Sequence, residues 1–294
     1  MHFAFQGIGT HWNIEIQDAL SEQRENTIKE SVIESVQEFE DNYSRFKPTS
    51  WIGKLNNEHF ITGFPLELYQ MLQFFSQIEE ITNGEFTPKI GTVLESRGYD
   101  STYSFTSREM KIIEQRLTFD QEKIITSKNT KIDLGGIGKG WLIDKIAHFL
   151  TQENIKHFLI NGGGDIYAST PNDTDSFLVA LENPFNPSES IGEIQVANSS
   201  VACSSPNRRS WKDKNTGERH HHLLSYKNTT EVTELVAVFT CATTALQADT
   251  ASTAIFVSSP DRYNHIANEL NTSYLLISPD GRAVSHNYPG RLFE

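Results

Sequence analysis

Apolar and polar residues alternate over residues 3–16, broken only at Gly7-Ile-Gly-Thr10. A period of two predicts an entry strand. The period then lengthens: Ile28, Val32, Val36, Phe39 and Tyr43 recur at steps of three and four. That spacing predicts an amphipathic helix over residues 24–43 with an acidic outer face. Residues 43–56 read as a polar loop with aromatics. Pro65 fits the first position of a second helix, with Leu68, Met71, Leu72, Phe75, Ile78 and Ile81 as its core face and Asn83-Gly84 as its stop. Residues 84–105 read as a loop-rich link and residues 107–117 as a short helix.

Residues 130–134 are strand-like and run into Gly135, Gly136, Gly138 and Gly140. Helix spacing resumes at Leu142, Ile143, Ile146, Phe149 and Leu150. Glycines at such a bend allow positive φ and a close approach to a ligand. The free N–H groups of the helix start suit a phosphate, and Lys139 adds a charge. A ligand-free strand-to-helix connection uses the same glycines, so the pattern alone leaves both readings open. Beyond it, residues 157–161 read as a buried strand ending in Gly162-Gly-Gly-Asp165. Residues 177–181 and 191–201 are strands, and residues 211–231 a polar surface excursion. A strand at 235–241, helices at 243–257 and 261–270, and a last strand at 273–277 follow. Helices and strands mix without strict βαβ alternation, so the class is α+β.

The chain has 294 residues, with 25 basic against 38 acidic side chains and a net charge of −13. An acidic chain gains nothing from a nucleic-acid backbone, so DNA and RNA are excluded as partners. Two cysteines, Cys203 and Cys241, are too few for a disulfide framework or a thiolate zinc site; they read as buried, inert thiols, one bridge between them remaining open. No apolar run approaches the ~20 residues that span a bilayer. The N-terminus has no leader pattern. As written the chain reads as cytoplasmic; a periplasmic protein trimmed of its leader would look the same. Oligomeric state is not legible.

Asp249 and Thr253 lie one helical turn apart. A carboxylate and a hydroxyl are hard donors that suit Mg²⁺ or Ca²⁺, yet a solvated Asp beside a Thr bonded to its own helix has the same spacing. His220-His221-His222 cannot all face one metal from a strand; one could accept a proton. Arg208-Arg209 beside Trp211 could grip phosphate and stack on the ring, or be a solvated basic pair.

Taken in order, these segments resemble the ApbE family of FAD:protein FMN transferases, from Gly7 to about Ala283. Asp133-Leu-Gly-Gly-Ile-Gly-Lys-Gly-Trp-Leu-Ile-Asp144 resembles DLGGIAKGYAVD. Gly9-Thr10 is similar to the family's MGT segment, with Ile8 for Met. The 43–56 loop is similar to S-x-Y-x-P-x-S-E-I-S-x-L-N. Asn83-Gly-Glu-Phe-Thr-Pro-Lys-Ile-Gly91 resembles GGxFDPTVG, Leu159-Ile-Asn-Gly-Gly-Gly-Asp-Ile166 resembles LVNxGGDI, and residues 243–253 resemble PTAMEADALAT.

The resemblance implies a single domain over 1–294: an ApbE-like, T-fold-related mixed sheet with packed helices in two interleaved lobes. It implies FAD as substrate and Mg²⁺ (or Ca²⁺ or Mn²⁺) as cofactor, with FMN passed to a Thr or Ser of an acceptor flavoprotein and AMP released. Its implied metal ligands are Asp249, Thr253 and the main-chain carbonyl of Gly136. The implied flavin-nucleotide contacts are Ile8, Ser44, Arg45, Phe46, Thr87, Lys139, His222 and Leu223. His222 is the implied general base and Asp249 the second catalytic residue. The expectation for Asp249→Ala is lost turnover with an intact fold. Where the family has HIIDPxTG, this chain has Ser225 and Tyr226 for Asp and Pro; where it has SGDYRR, this chain reads Ser204-Ser-Pro-Asn-Arg-Arg209. Two rival readings keep the flavin: an FAD pyrophosphatase giving FMN and AMP, and a non-catalytic FAD-binding protein.

Overall fold

The alternating N-terminal segment is a hairpin in the computed structural model, which describes residues 1–109, 115–172 and 174–293. Strands β1 (His2–Gly7) and β2 (Thr10–Ile16) pair antiparallel. The break at 7–10 is their turn, with φ 44° at Ile8 and 70° at Gly9; such a φ is strained for a β-branched residue. Helix α1 (Glu22–Tyr43) buries the five residues its periodicity marks, and Ser21 caps it by accepting from the Arg24 N–H.

The 43–56 segment is loop only as far as Ser50. That side chain accepts from the Gly53 N–H and starts helix α2 (Trp51–Glu58), whose eight residues are too few to announce a period. Strand β3 (Phe60–Thr62) follows, then α3 (Leu66–Ile81), for which Pro65 is the N-cap rather than the first helical residue. The link after Gly84 contains helix α4 (Gly91–Ser96). Of the helix expected over 107–117, residues 110–114 lie outside the described residues; Leu117 opens strand β4 (Leu117–Phe119), paired with β5 (Lys123–Thr126). Residues 130–134 form a single parallel bridge, Lys131 to Ile90, instead of a strand. The Ile132 N–H goes to the Asn56 side chain and the Asp133 N–H to the Pro88 carbonyl, so no ladder can continue.

Helix α5 (Gly138–Gln152) leads to β6 (Phe158–Gly162) and β7 (Asp165–Ser169), a hairpin turned at Gly163 and Gly164. Strands β8 (Phe177–Glu182), β9 (Ser190–Val196) and β10 (Ser199–Ser204) come next. The single strand expected at 191–201 is thus two. Asn198 takes φ 46° and sends β9 and β10 into different sheets. Residues 211–231 are a surface excursion only in part, with residues 214–219 exposed. They form two small hairpins, β11 (Ser210–Lys212) with β12 (Arg219–His221) and β13 (Leu224–Ser225) with β14 (Thr230–Glu231). Trp211, His220, Leu223 and Leu224 are all buried there. Strand β15 (Ala237–Ala242), helices α6 (Ala245–Val257) and α7 (Tyr263–Glu269) and strand β16 (Ser273–Ile277) fall where periodicity puts them; β17 (Ala283–His286) and β18 (Arg291–Leu292) then extend the fold past the expected last strand.

The α+β class holds. The main sheet runs β1-β2-β6-β7-β10-β15-β16-β17, and every adjacent pair in it is antiparallel, so the mixture is of helix and strand rather than of strand directions. Its faces feed two apolar clusters. One holds Trp12, Ile160 and Val238 with α1, α3, α5 and α6; the other holds Leu159, Ile166 and Phe239 with the small β18-β9-β8 sheet. Consecutive residues Val238 and Phe239 fall on opposite sides, as a pleated strand requires. Among the described residues no helix is long and apolar enough to cross a membrane.

Candidate active site at the glycine turn

The glycine turn and the helix carrying Thr253 are fastened to each other by two devices. Gly140 lies so close to α6 that an added Cβ would stand 2.5 Å from the Ala245 carbonyl oxygen. One turn on, Asp144 caps α6, its carboxylate oxygens accepting from the Ala245 and Leu246 N–H groups at 2.8 and 2.9 Å. A carboxylate at a helix N-terminus satisfies orphan donors and meets the positive end of the helix dipole. The start of α5 and the face of α6 therefore meet.

They meet at a cavity of about 1070 Å³. Gly136, Gly138, Lys139 and Thr253 border it, with Ile8 from the β1–β2 turn, Asp165 from the β6–β7 turn, Ser44, Arg45 and Phe46, Thr87, and His222 and Leu223 from the small hairpins. Every residue that the family resemblance implies for the site is on this wall except Asp249; of the other candidates Arg209 lines it, while His220 and His221 do not.

Asp249 is buried one layer behind. One of its oxygens accepts from the Gly140 N–H at 2.8 Å, the other from Lys139 Nζ at 2.9 Å. Lys139 also donates to Asp165, which is itself buried and takes the Cys203 N–H. Burial alone would lower the Lys139 pKa, but the two carboxylates overcome it and hold the ammonium charged. Burial, aided by the Asp249 charge, pushes Asp165 up, while Lys139 pulls it down. Thr253 shares a hydroxyl cluster, its Oγ1 lying 3.0 Å from Ser204 Oγ, which in turn lies 2.8 Å from Ser252 Oγ.

The three groups that the family resemblance implies as metal ligands are all oxygens: the Thr253 hydroxyl, the Gly136 carbonyl and the Asp249 carboxylate. Among the described residues no three His, Cys, Asp or Glu side chains gather as a closed metal cage. That set fits a hard cation which keeps waters and ligand phosphate oxygens in its shell, the habit of Mg²⁺. Each Asp249 oxygen already accepts one hydrogen bond, so a cation there would share the carboxylate with Lys139 and the Gly140 N–H.

The opposite wall is built on Arg45. Its Nε donates to Asp133, which also takes the Gly135 N–H, and its Nη2 donates to the Tyr99 carbonyl at 2.7 Å. The guanidinium lies 4.1 Å from the Phe46 ring centre, and Tyr99 stacks on Trp211 at 5.0 Å. Thr87 is fixed by its bond to Glu79, and Gly136 leaves room for the Phe86 ring, which an added Cβ would meet at 2.5 Å.

The three histidines do not converge on one point: His221 Nε2 lies 3.9 Å from Glu231, which also holds His220, and His222 lies beyond β12. His220 pairs with Glu231, while His222 Nδ1 lies 3.1 Å from the Arg209 carbonyl. A carbonyl only accepts, so Nδ1 carries the ring proton and Nε2 keeps the lone pair of the neutral imidazole. Burial first, then the Arg209 charge, pushes His222 down to about 3. Ser225, where the family has Asp, is buried with no partner for its hydroxyl among the described residues. Pro206 opens a short 3-10 turn over Pro206–Arg208. Cys203 and Cys241 are half-buried and unbridged; burial pushes the Cys241 thiol up to about 12.

Sequence reasoning quoted Asp133, Asp144 and Asp165 inside motifs but gave them no role. The signal was available: each acid sits at the edge of a glycine turn or one helical turn beyond it, where a carboxylate can bind main-chain N–H groups.

The family model for the ApbE family matches residues 8–276. Two curated relatives, both named FAD:protein FMN transferase, are similar over most of the chain. The protein from Buchnera aphidicola is 22% identical, with 95% of this chain and 86% of that protein covered. The one from Haemophilus influenzae is 25% identical, with 82% and 76% covered. Among solved structures, the ApbE protein from Thermotoga maritima aligns at a TM-score of 0.83 with 21% identity, covering 98% of this chain and 97% of that one. The Pseudomonas stutzeri flavinyl transferase ApbE aligns at 0.79 with 16% identity, covering 98% and 94%. The chain belongs to the ApbE family.

Proposed function

We propose that this chain is an FAD:protein FMN transferase, moving the FMN half of FAD to a Thr or Ser hydroxyl of an acceptor flavoprotein and releasing AMP. The observation that carries the reading is the convergence of the glycine turn, Lys139, Thr253 and His222 on one cavity. Its volume exceeds the roughly 300–1,000 Å³ of pockets for drug-sized ligands, so a dinucleotide has room. The names of the relatives support the same activity.

In this reading the acceptor oxygen forms a bond to the FMN phosphorus as the bond to the AMP oxygen breaks. The hydroxyl proton goes to a base, and AMP departs with the electron pair of the broken bond. His222 is that base: its Nδ1–H is anchored on the Arg209 carbonyl and its Nε2 is the acceptor. Burial and the Arg209 charge hold the ring neutral; an anionic diphosphate beside it opposes the Arg209 charge and makes the ring more basic. Lys139, bridging Asp165 and Asp249, fixes both carboxylates at the edge of the nucleotide's path. Ile8, Ser44, Arg45, Phe46, Thr87 and Leu223 line the rest of the nucleotide's path. A Mg²⁺ ion (or Mn²⁺ or Ca²⁺) held by Thr253, Asp249 and the Gly136 carbonyl would neutralise charge on the phosphates.

The test is incubation with FAD and Mg²⁺, with and without a candidate acceptor, following AMP and covalently bound flavin. AMP that depends on acceptor and matches the bound flavin is the expected result. AMP without acceptor would make the protein an FAD pyrophosphatase, and bound FAD without AMP a non-catalytic flavin binder.

A further inference from the structure

We infer that Arg209 is an anion-binding residue, its guanidinium holding the diphosphate of the dinucleotide beside His222. The inference rests on the flavin reading of the same cavity, but its first ground is a balance of charge.

Four cationic side chains border the cavity: Arg45, Lys47, Lys139 and Arg209. Three are neutralised where they stand. Arg45 is paired with Asp133, Lys47 with Asp41, and Lys139 with Asp165 and Asp249. The guanidinium of Arg209 has neither an ion pair nor a hydrogen bond among the described residues, although the residue is half-buried and the chain carries a net charge of −13. Removing a charge from water without a partner is unfavourable, and 38 acidic side chains were available to supply one.

Its position is defined from two sides. The Arg209 carbonyl receives both the main-chain N–H of His222, at 3.3 Å, and the Nδ1–H of its ring, at 3.1 Å. Toward the cavity, Nη2 reaches over the β1–β2 turn, where a Cβ on Gly9 would lie 3.9 Å away. Stacking does not explain it either, because the neighbouring Trp211 ring is already paired with Tyr99. A planar fork of N–H donors beside a glycine turn matches two oxygens of a phosphate group. The main chain of one residue thus orients the imidazole while its side chain faces the diphosphate attacked by the hydroxyl that the imidazole deprotonates.

The test uses calorimetric titration with inorganic pyrophosphate, FAD and riboflavin, without divalent ions, on the wild type, Arg209→Met and Arg209→Lys. Arg209→Met should lose at least about tenfold in affinity for pyrophosphate and for FAD, the scale of charge-assisted hydrogen bonds. Riboflavin, which has no phosphate, should bind unchanged. Arg209→Lys, a point charge without the fork, should fall between, and its melting curve reports whether the substitution spares the fold. Pyrophosphate binding that is absent from the wild type or equal in Arg209→Met overturns the inference, as does an equal loss of riboflavin. If pyrophosphate needs Arg209 but FAD does not bind, the anion site stands and the flavin reading falls.

Discussion

His222 is the residue whose surroundings say most about its use. Burial, the Arg209 guanidinium, His221 and Lys139 all disfavour its protonation, and only the Arg209 carbonyl favours it. Its folded pKa therefore lies below its ordinary value of 6.5, at about 3. Between those two values the unfolded chain takes up a proton that the folded one refuses, so this residue's contribution is complete above pH 6.5 and is lost as pH falls toward 3. The slope cannot exceed about 1.4 kcal/mol per pH unit. Melting temperatures of the wild type should thus fall more steeply over that range than those of His222→Gln; parallel curves would contradict this environment for the ring. That the three adjacent histidines cannot all face one metal is legible from strand alternation alone. Which of them faces the cavity is not, because that depends on the Arg209 carbonyl, 13 residues earlier.

At the scale of elements, the joint between α5 and α6 governs the site. Asp249→Ala was expected to leave the fold intact, but Asp249 also joins Gly140 to Lys139. Removing a carboxylate that holds a buried N–H and an ammonium costs roughly 2–4 kcal/mol. Gly140→Ala drives a Cβ into the main chain of α6 and costs about 3 kcal/mol, the upper end of overpacking. Gly136→Ala meets a side-chain ring rather than main chain; the Phe86 ring must shift as a whole against Phe75, at about 1–2 kcal/mol, less than Gly140→Ala. Urea unfolding of the three variants tests the order; an Asp249→Ala protein as stable as the wild type would show that the joint carries no energy. Elements with several turns or an uninterrupted alternation, such as α1, α3 and β15, are written plainly in the sequence. The eight-residue α2 and the switch at Asn198 are not, because one cap and one positive φ decide them.

For the molecule as a whole, the claim is that distant segments build one dinucleotide cavity. Helix and strand content and the family motifs were legible because they are local or ordered along the chain. The burial of Asp249 behind Lys139 was not, because it depends on α5 and α6 packing across 109 residues of sequence. The folding of residues 211–231 over the cavity was hidden for a similar reason: their polar composition masks the few apolar residues that anchor them. The most direct measurement is diffraction from crystals soaked in FAD and Mn²⁺, with the metal located by its anomalous signal. The account predicts a dinucleotide in the 1070 Å³ cavity, its diphosphate beside the glycine turn. The metal should lie against Thr253, the Gly136 carbonyl and Asp249. A diphosphate bound elsewhere, or a metal away from α6, would contradict it.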